Sequence, residues 1–452
     1  MKIDERLQKK MEGLLRSELP KIRLSEGKKT LQLGDLFALD EKFSELIQKA
    51  GKGIAEQYEG YIGERSLVPV VGGYLYDAVQ KIPIEEKIGK SFLCECAEFV
   101  DVEALAKRIV EMFVALPIEY VAAIKLPKSF SEALRESKVP AVFGRQLAIV
   151  GDWHEERQGL PIPEEKTQPK QLNQLARSFL GTPMQERDVV TPSAYLFLRV
   201  KGYIDEDVVF SRRPVERAFT LLKAFFGLAM GLEILNVGVP GLDSASVEVE
   251  VYDRRNEEWI KLGEEGLDHG GSQLISRLKS KLHVGPDISE KLRYLFSILD
   301  REDQLPQLVL AGRWFFDSHA NEDPVMGFMQ LAICAETLLG TEDGSDGITG
   351  VLASRCAYLI AASMKEREKL VREFKEIYKV RSKIVHRGLG AFRKSERQQF
   401  SSLRKICSRI IQKEVGLAMA DEPEQQESAN LIQALRSAHI PVPVHQAASE
   451  SI

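Results

Sequence analysis

Apolar residues recur at helical spacing along several long stretches of the chain and cluster at strand spacing in a few short ones. Lys2–Leu19 and Leu33–Gly51 read as charged amphipathic helices, and Val102–Leu116 as a third. Val215–Leu235 predicts a long apolar helix, with Phe219, Leu222, Phe226 and Met230 at helical spacing. Ile118–Leu126, Val139–Gly151, Ala194–Tyr203 and Ser246–Tyr252 are rich in Val, Ile and aromatic residues and predict strands. Leu67–Tyr76 is an apolar run interrupted by Gly72-Gly73, which predicts a strand with a turn at the glycine pair. From Ile288 onward the pattern is helical: Ile288–Leu299, Leu308–Ser318, Phe328–Leu339, Val351–Ala362, and Lys365 to about Val385. Gln158–Gln171, with Pro161, Pro163 and Pro169, and the Gly/Asp-rich Glu342–Gly350 read as loops. Asp421–Ile452 is polar, holds three prolines and predicts a mobile tail. The expected organisation is therefore an α+β region over 1–285, in one or two subdomains. An all-α helical domain over 286–415 and a flexible tail over 416–452 follow, making the chain mainly α overall.

Length supports this division, because 452 residues exceed one typical core and predict two or three domains. An apolar share of 44% with 29% charged residues describes a globular chain and excludes a wholly disordered one. No run of 18 apolar residues is present, so no membrane span is expected. The charged start Met1–Lys10 lacks the apolar core of a signal peptide, and the expected location is cytoplasmic. The five cysteines sit mostly in apolar helical patterns, which suits reduced core thiols. Cys94-x-Cys96 lacks a second pair at zinc spacing, and Asp152–Glu156 reads as a surface loop, so neither a metal nor another cofactor is expected. A net charge of −5 argues against a protein that binds nucleic acid over its whole surface. Charge is unevenly placed, however. Lys365–Lys413 holds 16 Lys or Arg against five Glu, a surplus that pairing within helices does not absorb and that suits a polyanionic substrate.

The candidate chemistry lies inside that basic stretch. Tyr378–Gly388 reads Y-K-V-R-S-K-I-V-H-R-G. Leu370, Phe374 and Ile377 form an apolar stripe, and Arg381 is its next member, so the register turns Arg381 toward the packed side. A guanidinium there needs a partner. Glu336, at the edge of the stripe made by Phe328, Leu331, Ala332, Ala335 and Leu339, stands where it can be that partner. Gly388 and Gly390 supply a helix stop, which places His386 in the last turn. There the partial negative charge of the helix end favours imidazolium. Five residues of regular helix set Arg381 and His386 about 140° apart. They share one face only if the helix unwinds near Ser382–Val385, or if two chains contribute to one site. A permanent cation beside a group that titrates near neutrality suits phosphodiester chemistry: Arg neutralises the phosphate, and His moves the proton of the attacking hydroxyl. The same spacing suits a structural Arg–carboxylate pair and a His that caps a helix end.

The order of elements around this stretch adds to the reading. Trp314-Phe315-Phe316-Asp317-Ser318 leads into Phe328–Leu339, which contains Ala335-Glu336-Thr337-Leu338, and Glu376–Gly388 follows about 40 residues later. This order resembles the ApeA-like branch of the HEPN superfamily, whose pattern is an E-bearing helix, a helix pair, and then Y-x-x-R-S-x-I-V-H-G. The resemblance covers about Pro306–Lys413, a quarter of the chain, and departs from the pattern at Arg387, which stands between His386 and Gly388. It implies an all-helical bundle that commonly forms a homodimer, with the Arg and His of both protomers lining a shared cleft. It implies a metal-independent endoribonuclease in which Arg381 binds the scissile phosphate, His386 transfers a proton, and Glu336 orients Arg381. Tyr378 and Ser382 are expected to support the site, and Lys379, Lys383 and Arg387 to hold RNA. Modification at Tyr378 or Ser382 is a further expectation from the superfamily, as is a phage-derived or cellular trigger sensed by the N-terminal region. Some relatives only bind nucleotides, RNA or proteins, so a non-catalytic dimer is the alternative.

Overall fold

The first 116 residues turn their apolar stripes toward one another. In the computed structural model, which describes residues 3–27, 30–63, 67–161, 193–204, 213–238, 246–255, 258–280, 287–340 and 348–420, these residues form six helices. They are α1 (Glu5–Glu18), α2 (Leu33–Ala50), α3 (Lys52–Ile62), α4 (Gly73–Lys81), α5 (Ile84–Lys87) and α6 (Val102–Val114). Asp4 and Asp101 accept the Leu7 and Ala104 N–H groups at 2.7 and 2.9 Å and so start α1 and α6. Met11, Leu15, Phe43, Tyr58, Val71 and Phe113 belong to a core of their own, in which the Phe43 and Phe113 rings lie 4.7 Å apart.

Leu67–Tyr76 is not a strand. Val68–Gly72 forms one π-helical turn that runs into α4. A run buried on all sides carries no period that separates strand from helix. Here the deciding interaction comes from another element: the buried Asp40 of α2 accepts the Leu67 and Val68 N–H groups at 2.6 and 3.0 Å, which caps the helical turn from outside.

The strands are β1 (Ile118–Lys125), β2 (Val142–Phe143), β3 (Leu147–Gly151), β4 (Ala194–Gly202), β5 (Leu235–Val237), β6 (Glu248–Arg255), β7 (Glu258–Gly266) and β8 (Leu278–Ser280). Six of them form an antiparallel sheet in the order β2-β3-β4-β1-β6-β7, and β5 pairs with β8. The central β1 pairs with β4 along its whole length, from Ile118 opposite Gly202 to Lys125 opposite Tyr195. Alternation then sorts the side chains. Tyr120, Ala122, Ile124, Leu196 and Leu198 join the large core, while Val121, Ala123, Tyr195 and Phe197 form a smaller cluster on the other face. The guanidinium of Arg157 covers that cluster, 4.8 Å from the Tyr195 ring.

Beyond the short helices α7 (Lys128–Glu136) and α9 (His269–Arg277), one helix joins the sheet to the rest of the chain. This is α8 (Arg213–Gly231), most of whose residues are buried. It packs on the sheet and against α11 (Pro306–Ala320), the second of the C-terminal helices α10 (Asp287–Asp300), α11, α12 (Pro324–Leu339), α13 (Ile348–Ile360), α14 (Met364–Arg387) and α15 (Lys394–Ala420). Gly227 and Gly312 face each other at the crossing. A Cβ built on Gly227 would stand 1.8 Å from the Gly312 carbonyl oxygen. The last carbonyl of α8 is satisfied from α15, where Ser408 and Gln412 donate to the Gly231 oxygen at 2.9 and 3.0 Å. The large core therefore runs from Tyr120 to Ala418 and lies on both sides of residue 285. The chain is mainly helical with a small antiparallel sheet. Among the described residues no helix is long and apolar enough to cross a membrane. The loop expected over Gln158–Gln171 from residue 162 on, most of Glu342–Gly350, and the tail Asp421–Ile452 lie outside the described residues.

Near the end of α11, His319 packs on Phe315, and its Nδ1 lies 2.8 Å from the Phe315 carbonyl oxygen, the geometry of an Nδ1–H tautomer. Burial, then the nearby Arg404 charge, push its pKa down to about 4. The folded protein thus resists protonation that the unfolded chain accepts below about pH 6.5. Stability from this group is complete above that pH and is lost as pH falls toward 4, by about 2–3 kcal/mol. Denaturant titrations at pH 7 and pH 4.5 are expected to show a smaller acid-dependent loss for His319→Gln than for the wild-type chain.

Candidate functional site

Helix α14 carries the candidate site. Its start is a reciprocal cap: Ser363 accepts the Glu366 N–H at 3.3 Å, and Glu366 accepts the Ala362 N–H at 2.9 Å. Leu370, Phe374, Ile377 and Tyr378 are buried, and the Phe374 and Tyr378 rings stack 4.8 Å apart. The helix ends at Gly388, whose φ of 62° is the left-handed conformation that a residue with a Cβ disfavours. Its N–H returns to the Ile384 carbonyl at 3.2 Å. Arg387 is the last helical residue, so its insertion before the glycine is taken up without an early stop.

Between Arg381 and His386 the helix is continuous. It does not unwind over Ser382–Val385, and the two side chains leave it about 140° apart and separated by about 7.5 Å of rise. Arg381 lies at the edge of the packed side rather than within it: its side chain is 35% exposed, and its Nε is 3.3 Å from Glu336 Oε1 on α12. That Nε is itself buried and finds no well-aligned hydrogen bond among the described residues, so the contact is an ion pair. The carboxylate stands at the Nε edge of the guanidinium and leaves the other N–H groups clear of it. His386 is exposed, as are Ser382 and Arg387.

Tyr378 sits beneath this pair. Its hydroxyl is enclosed and meets no well-aligned partner among the described residues. Burial, and secondarily the Glu336 carboxylate, raise its pKa far above the usual phenol range. Glu336, Tyr378 and Arg381 are therefore neighbours at one seam between α12 and α14. Of the two side chains singled out for modification, Ser382 is accessible and Tyr378 is 5% exposed.

The remaining expected residues lie on the outer surface. Lys379 pairs with Glu376 at 2.6 Å, and Lys383 lies 3.6 Å from Glu396 at the start of α15. The turn into α15 is held by Phe392, whose ring packs 5.7 Å from Phe328 and 6.1 Å from Phe400. Arg393, Lys394 and Arg397, exposed cations just beyond that turn, extend the basic surface around His386. They were signalled only by the overall charge surplus. Among the described residues no three His, Cys, Asp or Glu side chains are grouped to hold a metal ion. All five cysteines are free, four of them buried.

The chain thus offers a paired guanidinium on one side of α14 and an accessible imidazole on another. No match to this chain was found among known protein families, curated proteins or solved structures.

Proposed function

We propose that the chain is a metal-independent endoribonuclease acting as a homodimer, in which Arg381 of one protomer and His386 of the other meet at one phosphodiester. The observation that carries this reading is the Glu336–Arg381 pair, 3.3 Å apart, on a helix whose exposed end presents His386 amid surplus cations. In the reaction the RNA 2′-hydroxyl attacks the adjacent phosphorus and the 5′-oxygen leaves, giving a 2′,3′-cyclic phosphate and a 5′-hydroxyl. His386 transfers the proton, and Arg381, oriented by Glu336, stabilises the charge that develops on the phosphorane. Tyr378 and Ser382 support this arrangement, and Lys379, Lys383 and Arg387 hold the backbone on either side. No cofactor enters the reaction. The N-terminal α+β region senses a phage or cellular trigger and restrains the nuclease, which places the protein in the cytoplasm as a defence effector. HEPN-type membership is part of this proposal and rests on the motif order alone.

A second reading keeps the basic surface and the dimer without turnover, binding a nucleotide, RNA or protein. The separation of Arg381 and His386 around one regular helix favours it. Incubating the full chain with structured and unstructured RNA in EDTA tests both. Cleavage is expected, with cyclic-phosphate ends, and its loss in Arg381→Ala and in His386→Ala. If no RNA is cut, or if cutting survives both substitutions, the nuclease reading fails.

A further inference from the structure

The molecule has a second basic site, far in sequence from Arg381. A cleft of about 950 Å³ opens where the N-terminal helices, the sheet and the C-terminal helices meet. Its size lies in the roughly 300–1,000 Å³ range of small-molecule sites. Six cationic side chains line it: Arg145, Arg199, Lys201, Arg213, Arg217 and Arg313. Two carboxylates do so, Glu302 and Asp303.

The cations come from four separate elements that the fold brings together. On α8, Arg213, Arg217 and Thr220 follow at i, i+4 and i+7, a polar stripe on a helix otherwise largely buried. Arg199 and Lys201 stand at the end of β4, and one carboxylate, Glu119, serves both: Lys201 Nζ is 2.9 Å from Oε1, and Arg199 bonds Oε2. Burial of Glu119 is outweighed by these two cations, which hold its pKa below the usual range. Arg145 sits on the β2–β3 turn, which Asp300 fixes by accepting the Arg145 and Gln146 N–H groups at 2.6 and 2.8 Å. Arg313 shares Asp317 with Lys223, at 3.8 and 2.9 Å. Arg213 pairs with Glu216 at 3.2 Å, and Arg217 pairs with Glu302. Carboxylates thus position these cations, while on the cleft wall itself six cations stand against two carboxylates. Tyr61 of α3 adds an aromatic ring to that wall.

Each guanidinium has five N–H donors, so cations held by single carboxylates on several rigid elements of a concave site keep donors for a further anion. We propose that this cleft binds a small anion carrying two or more linked phosphates, of nucleotide size. The guanidinium forks of Arg213 and Arg313 and the ammonium of Lys201 take the phosphate oxygens. The proposal does not depend on RNA cleavage.

Calorimetric titration of the full chain with inorganic pyrophosphate and with ATP tests it. Dissociation constants of about 100 μM or tighter are expected. The Arg213→Gln/Arg313→Gln protein should bind at least about tenfold more weakly, and the Lys9→Gln/Lys10→Gln protein, altered at exposed positions outside the cleft, as the wild type does. Tripolyphosphate is titrated beside pyrophosphate and ATP as the match to ATP in phosphate number: tighter binding of ATP than of tripolyphosphate assigns a base to the ligand, whereas equal binding assigns the phosphates alone. If the double variant does not fold, Lys201→Gln, at an exposed position, replaces it. The proposal is overturned if none of these anions binds at about 1 mM, or if binding is indifferent to the cleft substitutions.

Discussion

A one-to-one mixture of Arg381→Ala and His386→Ala proteins is expected to recover about a quarter of wild-type RNA cleavage, although each variant alone loses about 10³-fold or more. The expectation follows from the proposed composite site and from the uninterrupted helix between the two residues, which sets them about 140° apart. A composite site takes Arg381 from one copy and His386 from the other. A two-fold dimer of wild-type chains then has two such sites. In a mixed dimer one site keeps both residues and the other has neither. Random pairing makes about half of the dimers mixed, each with one of two sites intact, hence about a quarter of full activity. Cleavage rates of the pre-equilibrated mixture, set against the separate variants, provide the measurement. Absence of any recovery would overturn the composite site and place both residues in one protomer's site.

Gly227→Ala is expected to destabilise the fold by about 3 kcal/mol. The added methyl would meet the Gly312 carbonyl oxygen at 1.8 Å, and the obstacle is backbone, which cannot swing aside as a side chain does. Relief requires α8 and α11 to separate, which loosens Phe226 from Phe316 and the sheet from the C-terminal helices. Gly53→Ala is the matched control. It lies inside α3 with open space around its Cβ, so the same substitution is expected to stabilise by about 0.5–1 kcal/mol through helix propensity. Chemical denaturation of both variants checks the pair. A Gly227→Ala midpoint equal to that of the wild type would mean that the two helices do not cross this closely.

Period was the most readable feature of this chain. Met11 and Leu15 on α1 and Ile109 and Phe113 on α6 declare helices by their spacing, and the Val- and Ile-rich composition of Ile118–Lys125 declares a strand. Where burial surrounds an element, as at Val68–Gly72, no period survives, and the deciding contact came from Asp40, 27 residues upstream of Leu67. The opposite case is β7: Glu258–Gly266 is largely polar and accessible, so its strand character comes from pairing with β6. Lys394–Ala420 drew no expected element, although Phe400, Leu403, Cys407 and Ile410 repeat at helical spacing. In the candidate site, register alone places Glu336 at the edge of its stripe and Arg381 as the next member of another, and the structure sets them in contact. How exposed Arg381 is depends on where α12 and α14 dock, whereas its angle from His386 required only that the helix stay regular. The basic cleft was not legible at all. Its walls are drawn from residues 57 to 313, and only the tertiary fold makes them neighbours.

The way α8 is shared between strands and bundle has a consequence for any on-switch. Severing the polypeptide near residue 286 would strip α11 of the surface covered by Ala224 and Leu228, baring a greasy flank instead of liberating an autonomous effector. Under the proposed function, proteolytic release is therefore a poor route to activation, and a trigger bound upstream would act on Arg381 and His386 through an uncut backbone, as a shift in how packed helices seat against one another.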